Sequence, residues 1–146
     1  MKNIFAAIAV LFLSQLTFAQ AWTGKGDQKV QAGVNAWGFG TGISGTYDYG
    51  LGELISVGGG AKFYFDNYRD NDDRNRAFLF GRINAHLQET LDLPERWDVY
   101  PGLHIGVVGR DFGLEAHIGA RYFFTDKIGA FVELGSHGTA GVAINF

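Results

Sequence analysis

From residue 29 onward, apolar and polar positions alternate with a period of two, the signature of half-buried strands. The pattern restarts eight times, which predicts strands over 29–38, 41–51, 54–65, 76–89, 97–108, 112–124, 128–135 and 138–146. One phase of each segment carries no charge, amide, histidine, serine or threonine. In the third segment it reads Ile55, Val57, Gly59, Ala61, Phe63, Phe65, and in the sixth Leu114, Ala116, Ile118, Ala120, Tyr122, Phe124. Gly38-Phe39-Gly40 and Gly109-Arg110-Asp111 suit tight hairpins, and Thr125-Asp126-Lys127 and Ser136-His137-Gly138 suit three-residue loops. Residues 66–75 and 90–96 form longer connections. No helical stretch separates the segments, so neighbouring strands are expected to be antiparallel.

The first nineteen residues follow a different rule. Met1-Lys2-Asn3 is a short basic start, Ile4 to Leu13 is an unbroken apolar run, and Thr17-Phe18-Ala19 ends on small residues. This is the pattern of a secretory signal peptide, with cleavage expected after Ala19 and Ala21 as the alternative site. Ten apolar residues are too few for a helix crossing a bilayer core, which takes about 20. Residues 20–146 are then one domain. With no further long apolar run, that domain is either a soluble exported protein or a membrane protein that crosses with strands.

Composition narrows the chemistry. The chain has 146 residues, 22 glycines and no cysteine, which removes disulfides, thiolate metal sites and a cysteine nucleophile. A net charge of −3 gives no electrostatic case for nucleic acid. The glycines fall mainly on the polar phase, among them Gly33, Gly58, Gly60, Gly102, Gly113 and Gly119. Glycine weakens a strand that faces water, but it leaves room for large neighbours inside a narrow barrel. The same phase carries Asp48, Lys62, Arg82, Glu115, Arg121 and Glu133, three acids and three bases. Such balance suits charges that must pair in a confined interior. Gln31, Asn84, His86, His104 and His117 complete the expected polar lumen. The apolar phase then faces lipid, with aromatic residues towards strand ends: Tyr47, Tyr49, Phe63, Phe65, Trp97, Tyr122 and Phe124. The fold class expected is all-β: an eight-stranded antiparallel up-and-down transmembrane β-barrel behind a signal peptide. A soluble lipocalin-like barrel with its apolar phase inside, binding an apolar ligand, is the alternative.

Hairpin lengths suggest particular neighbours. A three-residue loop at 125–127 puts Gly119 opposite Glu133, with Arg121 diagonal to Glu133 for a lumen salt bridge. A turn at Arg110-Asp111 puts His104 opposite His117, with Glu115 one step along.

The chain ends Ala140-Gly141-Val142-Ala143-Ile144-Asn145-Phe146, a terminal Phe with apolar residues at every second position before it. With the leader and the eight alternating segments, this resembles the small eight-stranded bacterial outer-membrane β-barrels, the group that includes outer-membrane protein X and the barrel domain of outer-membrane protein A. The resemblance implies that Val142, Ile144 and Phe146 form an insertion signal read by the barrel assembly machinery. It implies a monomer among outer-membrane lipids and lipopolysaccharide, with both chain ends in the periplasm. The outer loops are then near 39–40, 66–75, 109–111 and 136–138, and three of them are too short for an adhesin of the long-looped kind.

Candidate chemistry is sparse. His104, His117 and Glu115 are residue types that suit zinc, but a hydrogen-bonded histidine pair is the expected arrangement, with no metal and no cofactor. Asp66, Asp70, Asp72 and Asp73, with Arg69 and Arg74, form an acidic loop whose spacing fails as a calcium loop because Arg74 stands where an oxygen ligand is needed. Enzymatic outer-membrane barrels need a Ser-His-acid set or an equivalent. After the leader only Ser44, Ser56 and Ser136 occur, and the adjacent Ser136-His137 is not a triad. A non-catalytic protein with a plugged polar lumen and a structural or surface-interaction role is expected. A narrow pore is the further alternative.

Overall fold

The alternation resolves into β1 (Gln28–Trp37), β2 (Gly40–Gly50), β3 (Ile55–Asn67), β4 (Ala77–Ala85), β5 (Trp97–Val108), β6 (Asp111–Phe123), β7 (Ile128–Gly135) and β8 (Gly138–Asn145). This is a computed structural model, and it describes residues 19–67 and 77–146. The leader's apolar run and Arg69, Asp70, Asp72, Asp73 and Arg74 lie outside the described residues. Each strand pairs antiparallel with its sequence neighbour, and β1 pairs with β8, closing the barrel. The described residues contain no helix.

Strand bounds follow the alternation closely except in β4. The segment expected to run to residue 89 stops at Ala85. Beyond it, Leu91 N–H donates to the Leu87 carbonyl and Leu93 N–H to the Gln88 carbonyl, so the chain coils instead of extending. Asp92 closes that coil with a positive φ of 51°, a conformation Asp tolerates better than most residues. The Gln88 amide holds the far side through the Glu95 carbonyl at 2.8 Å.

The two faces sort as the polar phase requires. Outward rows are aliphatic at mid-height, with Leu79, Ile83, Leu103, Ile118, Val132 and Val142 all exposed. Aromatic side chains ring the two ends of this band. Tyr47, Tyr49, Trp97 and Phe124 are exposed at the end that carries the chain termini, where Trp97 packs on Tyr122 at 4.9 Å between ring centroids and Tyr122 on Phe124 at 5.4 Å. Trp37, Phe63, Phe65 and Phe112 are exposed at the opposite end. Ile144 and Phe146 also point outward, beside the β1–β8 seam.

Inward rows carry charge, glycine and large rings together. A Cβ on Gly119 would lie 2.3 Å from the Tyr100 ring, and one on Gly113 would lie 2.6 Å from the Phe78 ring. A Cβ on Gly102 would meet Asn84 at 2.1 Å and His117 at 2.7 Å. The glycine-rich phase is therefore the space that admits Tyr100, Phe78 and His117 to the interior.

Candidate functional site

The interior is a column of side chains running between the two ends of the barrel. Nearest the chain termini, residues 19–24 fold across the opening. Ala21 N–H donates to the Glu95 carbonyl at 2.6 Å, and Trp22 Nε1 donates to the Glu53 carbonyl at 2.6 Å. The Trp22 ring stacks on His86 with centroids 3.5 Å apart and planes 7° from parallel. The Lys29 ammonium pairs with Asp27 beneath it.

Above Trp22, Ser56 Oγ lies 2.8 Å from His86 Nε2, and His86 Nδ1 lies 2.8 Å from Asp98 Oδ2. That is the connectivity of a hydrolytic triad, assembled from β3, the β4–β5 connection and β5. All three side chains are buried, and Trp22 covers the imidazole face. A nucleophile needs space at its oxygen for a substrate carbonyl; Ser56 is 0 % exposed. Burial is the largest influence on His86 and pushes its imidazole below the ordinary value, against the opposing pull of Asp98.

Arg121 occupies the next level. Its Nη2 donates to Asp48 Oδ2 at 2.6 Å and to Gln31 Oε1 at 2.7 Å, its Nη1 to Asp98 Oδ2 at 3.2 Å, and its guanidinium lies 4.1 Å over the Tyr100 ring. Arg82 follows, with Nη2 donating to Glu133 Oε1 at 2.6 Å and Nε 3.0 Å from Asp48 Oδ1. The expected Arg121–Glu133 bridge is thus replaced. Arg121 reaches across the lumen to Asp48 and pairs with Asp98 directly opposite on the β5–β6 ladder, and Glu133 is held by Arg82 and by the Tyr100 hydroxyl at 3.0 Å.

The upper level holds three histidines. His104 pairs with Glu115 across the β5–β6 ladder, and Gly102 pairs with His117. The expected His104–His117 pair is therefore two residues out of register, because the turn sits at Gly109-Arg110, where Gly109 takes a φ of 63° and Val108 pairs with Asp111. Gly119 does lie opposite Glu133. His104 and His117 still meet through their rings, 4.6 Å apart, and His137 joins them at 4.9 and 5.2 Å. Lys62 pairs with Glu115. His137 Nε2 lies 3.1 Å from Glu133 Oε2, and its Nδ1 makes an oblique 3.1 Å contact with Glu115 Oε2. Burial is the largest influence on His137, but these two carboxylates outweigh it and raise the imidazole above its ordinary value. Phe80 stacks on His104 at 4.2 Å, and Phe78, Tyr64, Val108 and Phe39 form an apolar cap beyond.

A family model of unknown function, DUF6646, matches residues 11–140. The chain belongs to the DUF6646 family. No curated protein matches it. A solved structure described as "De novo design of transmembrane beta-barrels" is similar in fold, with a TM-score of 0.66 at 14 % identity, covering 86 % of this chain and 99 % of that one. At that identity the likeness shows the fold alone: an eight-stranded antiparallel barrel similar to a designed transmembrane barrel.

In this DUF6646 member all nine charged and histidine residues expected in the lumen are buried: Asp48, Lys62, Arg82, His86, His104, Glu115, His117, Arg121 and Glu133. Sequence reasoning omits several others. Lys29, Ser56, Asp98 and Tyr100 are buried on the same inward parity. His137, expected in an outer loop, is 0 % exposed. Its odd number is the available signal, since the inward rows of β7 and β8 are both odd: Gly129, Phe131 and Glu133, then Thr139 and Ala143.

Proposed function

We propose that this chain is a small outer-membrane β-barrel of the kind represented by outer-membrane protein X and the barrel domain of outer-membrane protein A. Its interior is plugged by the paired polar column, and its role is structural or surface-interacting, without catalysis. The observation that carries this reading is the orientation of the two faces. A water-soluble barrel buries its aliphatic row and exposes its charges, whereas here the aliphatic band lies outside between aromatic ends and the charges lie inside. Strands of 8 to 13 residues match the roughly 9–11 that a tilted strand needs to cross a bilayer. Filling of the lumen by Arg121, Tyr100, Arg82 and the histidines speaks against a pore. The buried Ser56-His86-Asp98 set reads as part of the plug, because Trp22 and the neighbouring side chains seal it.

Expression of the full chain in a Gram-negative host tests this reading. The protein is expected in the outer-membrane fraction, migrating differently on a gel before and after boiling. Recovery as a soluble periplasmic protein that binds a lipophilic dye would overturn it. A fluorophosphonate probe is expected to leave the folded protein unlabelled. Labelling abolished by Ser56→Ala would instead establish an enzyme.

A further inference from the structure

We infer that the upper lumen is a binding site for a zinc-class divalent metal ion, held by His104, His117, His137 and Glu133. One ligand atom from each of these four buried residues lies within 4.8 Å of the others. Three imidazoles and a carboxylate are the donor set that suits Zn²⁺, Co²⁺ or Ni²⁺, and hard Mg²⁺ and Ca²⁺ prefer oxygen.

Unpartnered ring atoms point the same way. His104 Nε2 and His117 Nδ1 are buried with no hydrogen-bond partner. A buried polar nitrogen left without a partner is destabilising, and a bound cation supplies the missing partner. Two such nitrogens on rings 4.6 Å apart make a site out of what would otherwise be two separate defects.

The surrounding carboxylate fits the role of an orienting partner. Glu115 Oε2 hydrogen-bonds His104 Nδ1 at 3.1 Å, and its 3.1 Å contact with His137 Nδ1 is oblique. A carboxylate that takes the proton side of an imidazole leaves its other nitrogen free to coordinate, the usual arrangement behind metal-bound histidine. His104 Nε2 is then a free donor, while His137 Nε2 is hydrogen-bonded to Glu133 Oε2 at 3.1 Å, and an ion between that pair takes the place of the shared proton. Arg82 engages the other oxygen of Glu133 and leaves Oε2 for the ion. With zinc bonds of about 2.0–2.1 Å, tetrahedral donors stand roughly 3.3 Å apart. Binding therefore requires the widest pair to draw in from as much as 4.8 Å.

At the end of the barrel away from the chain termini, a cavity of about 280 Å³ lined by Gly38, Phe39, Leu114, Glu115 and Ser136 reaches Glu115, the carboxylate bonded to His104. Gly38 stands beside the cluster with a φ of 120°, and a Cβ there would meet His137 at 3.0 Å and Glu115 at 3.1 Å.

The chain has four histidines, so one experiment carries its own control. The tag-free full-length protein, refolded in detergent and stripped with a chelator, is labelled with ¹⁵N in its imidazoles and titrated with zinc chloride. The expected result is saturation at one equivalent, shifting the ring signals of His104, His117 and His137 while His86 stays in place. Magnesium is expected to cause no shift. Cobalt is expected to give tetrahedral visible absorption that zinc abolishes. In His104→Gln and His137→Gln proteins that keep the heat-modifiable band, affinity is expected to fall at least tenfold. No saturable shift at the three rings, or an equal shift at His86, would overturn the inference. So would unchanged zinc affinity in a folded His104→Gln protein. Failure of a variant to fold leaves the wild-type titration to decide. Zinc binding is independent of where the barrel resides, so a null titration leaves the membrane reading standing.

Discussion

Replacing Arg121 by leucine is expected to remove about 3–5 kcal/mol of stability, the usual loss when one member of a buried ionic cluster is deleted. The guanidinium is fully buried and serves Asp48, Asp98 and Gln31 at once, with its flat face on Tyr100. Leucine leaves Asp98 beside only His86, and leaves Asp48 with Arg82 alone. Most of the loss comes from charge that stays buried without its partner. Adding Asp98→Asn to Arg121→Leu should therefore restore part of it, since contacting sites are not additive. Arg121→Lys should be intermediate, because an ammonium is a point donor and cannot span both carboxylates as the fork does. Urea unfolding in detergent, followed by tryptophan fluorescence, measures all three. A loss below about 1 kcal/mol for Arg121→Leu, typical of an exposed pair, would mean that water reaches the cluster.

Leu103→Lys should be nearly as damaging, for the opposite reason. Leu103 lies at mid-height on β5 with its side chain pointing outward. A lysine on the lipid face near the bilayer midplane costs about 2–4 kcal/mol, falling to about 0–1 near the interfaces. On a water-facing barrel the same change would stay within about 0.5 kcal/mol. Unfolding in lipid vesicles, with Asp92→Lys in the β4–β5 connection as the reference, separates the two cases. Equal stability of the two variants would remove lipid from the outward face.

What alternation alone can reveal is parity. It assigned Leu103 to one face and His104 to the other correctly, and it placed all eight strands. It cannot reveal partners, because a two-residue slip keeps every side chain on its face. That is why His104 was expected against His117 and stands against Glu115 instead. The decisive detail was whether the β5–β6 turn is centred before or after Arg110, and Gly109 settles it by taking the left-handed conformation. Contacts across the lumen are harder still. Arg121 and Asp48 are 73 residues apart on strands that are not neighbours, so no hairpin register brings them together. Ser56, His86 and Asp98, by contrast, lie on neighbouring strands and the connection that extends β4, so only their register was missing. His137 was the recoverable omission: the alternation continues through the turn, and so does the inward row.

The central claim is that the aliphatic band of this barrel lies in lipid, and spin-label accessibility tests it most directly. The chain has no cysteine, so single cysteines introduced at Leu103, Ile118 and Val132 can be labelled without background. All three positions are outward and near the middle of their strands. In reconstituted vesicles the three labels are expected to be readily reached by oxygen and poorly by a water-soluble nickel chelate, while a label at Asp92 shows the reverse. Nickel accessibility at Leu103, Ile118 and Val132 equal to that at Asp92 would contradict the account.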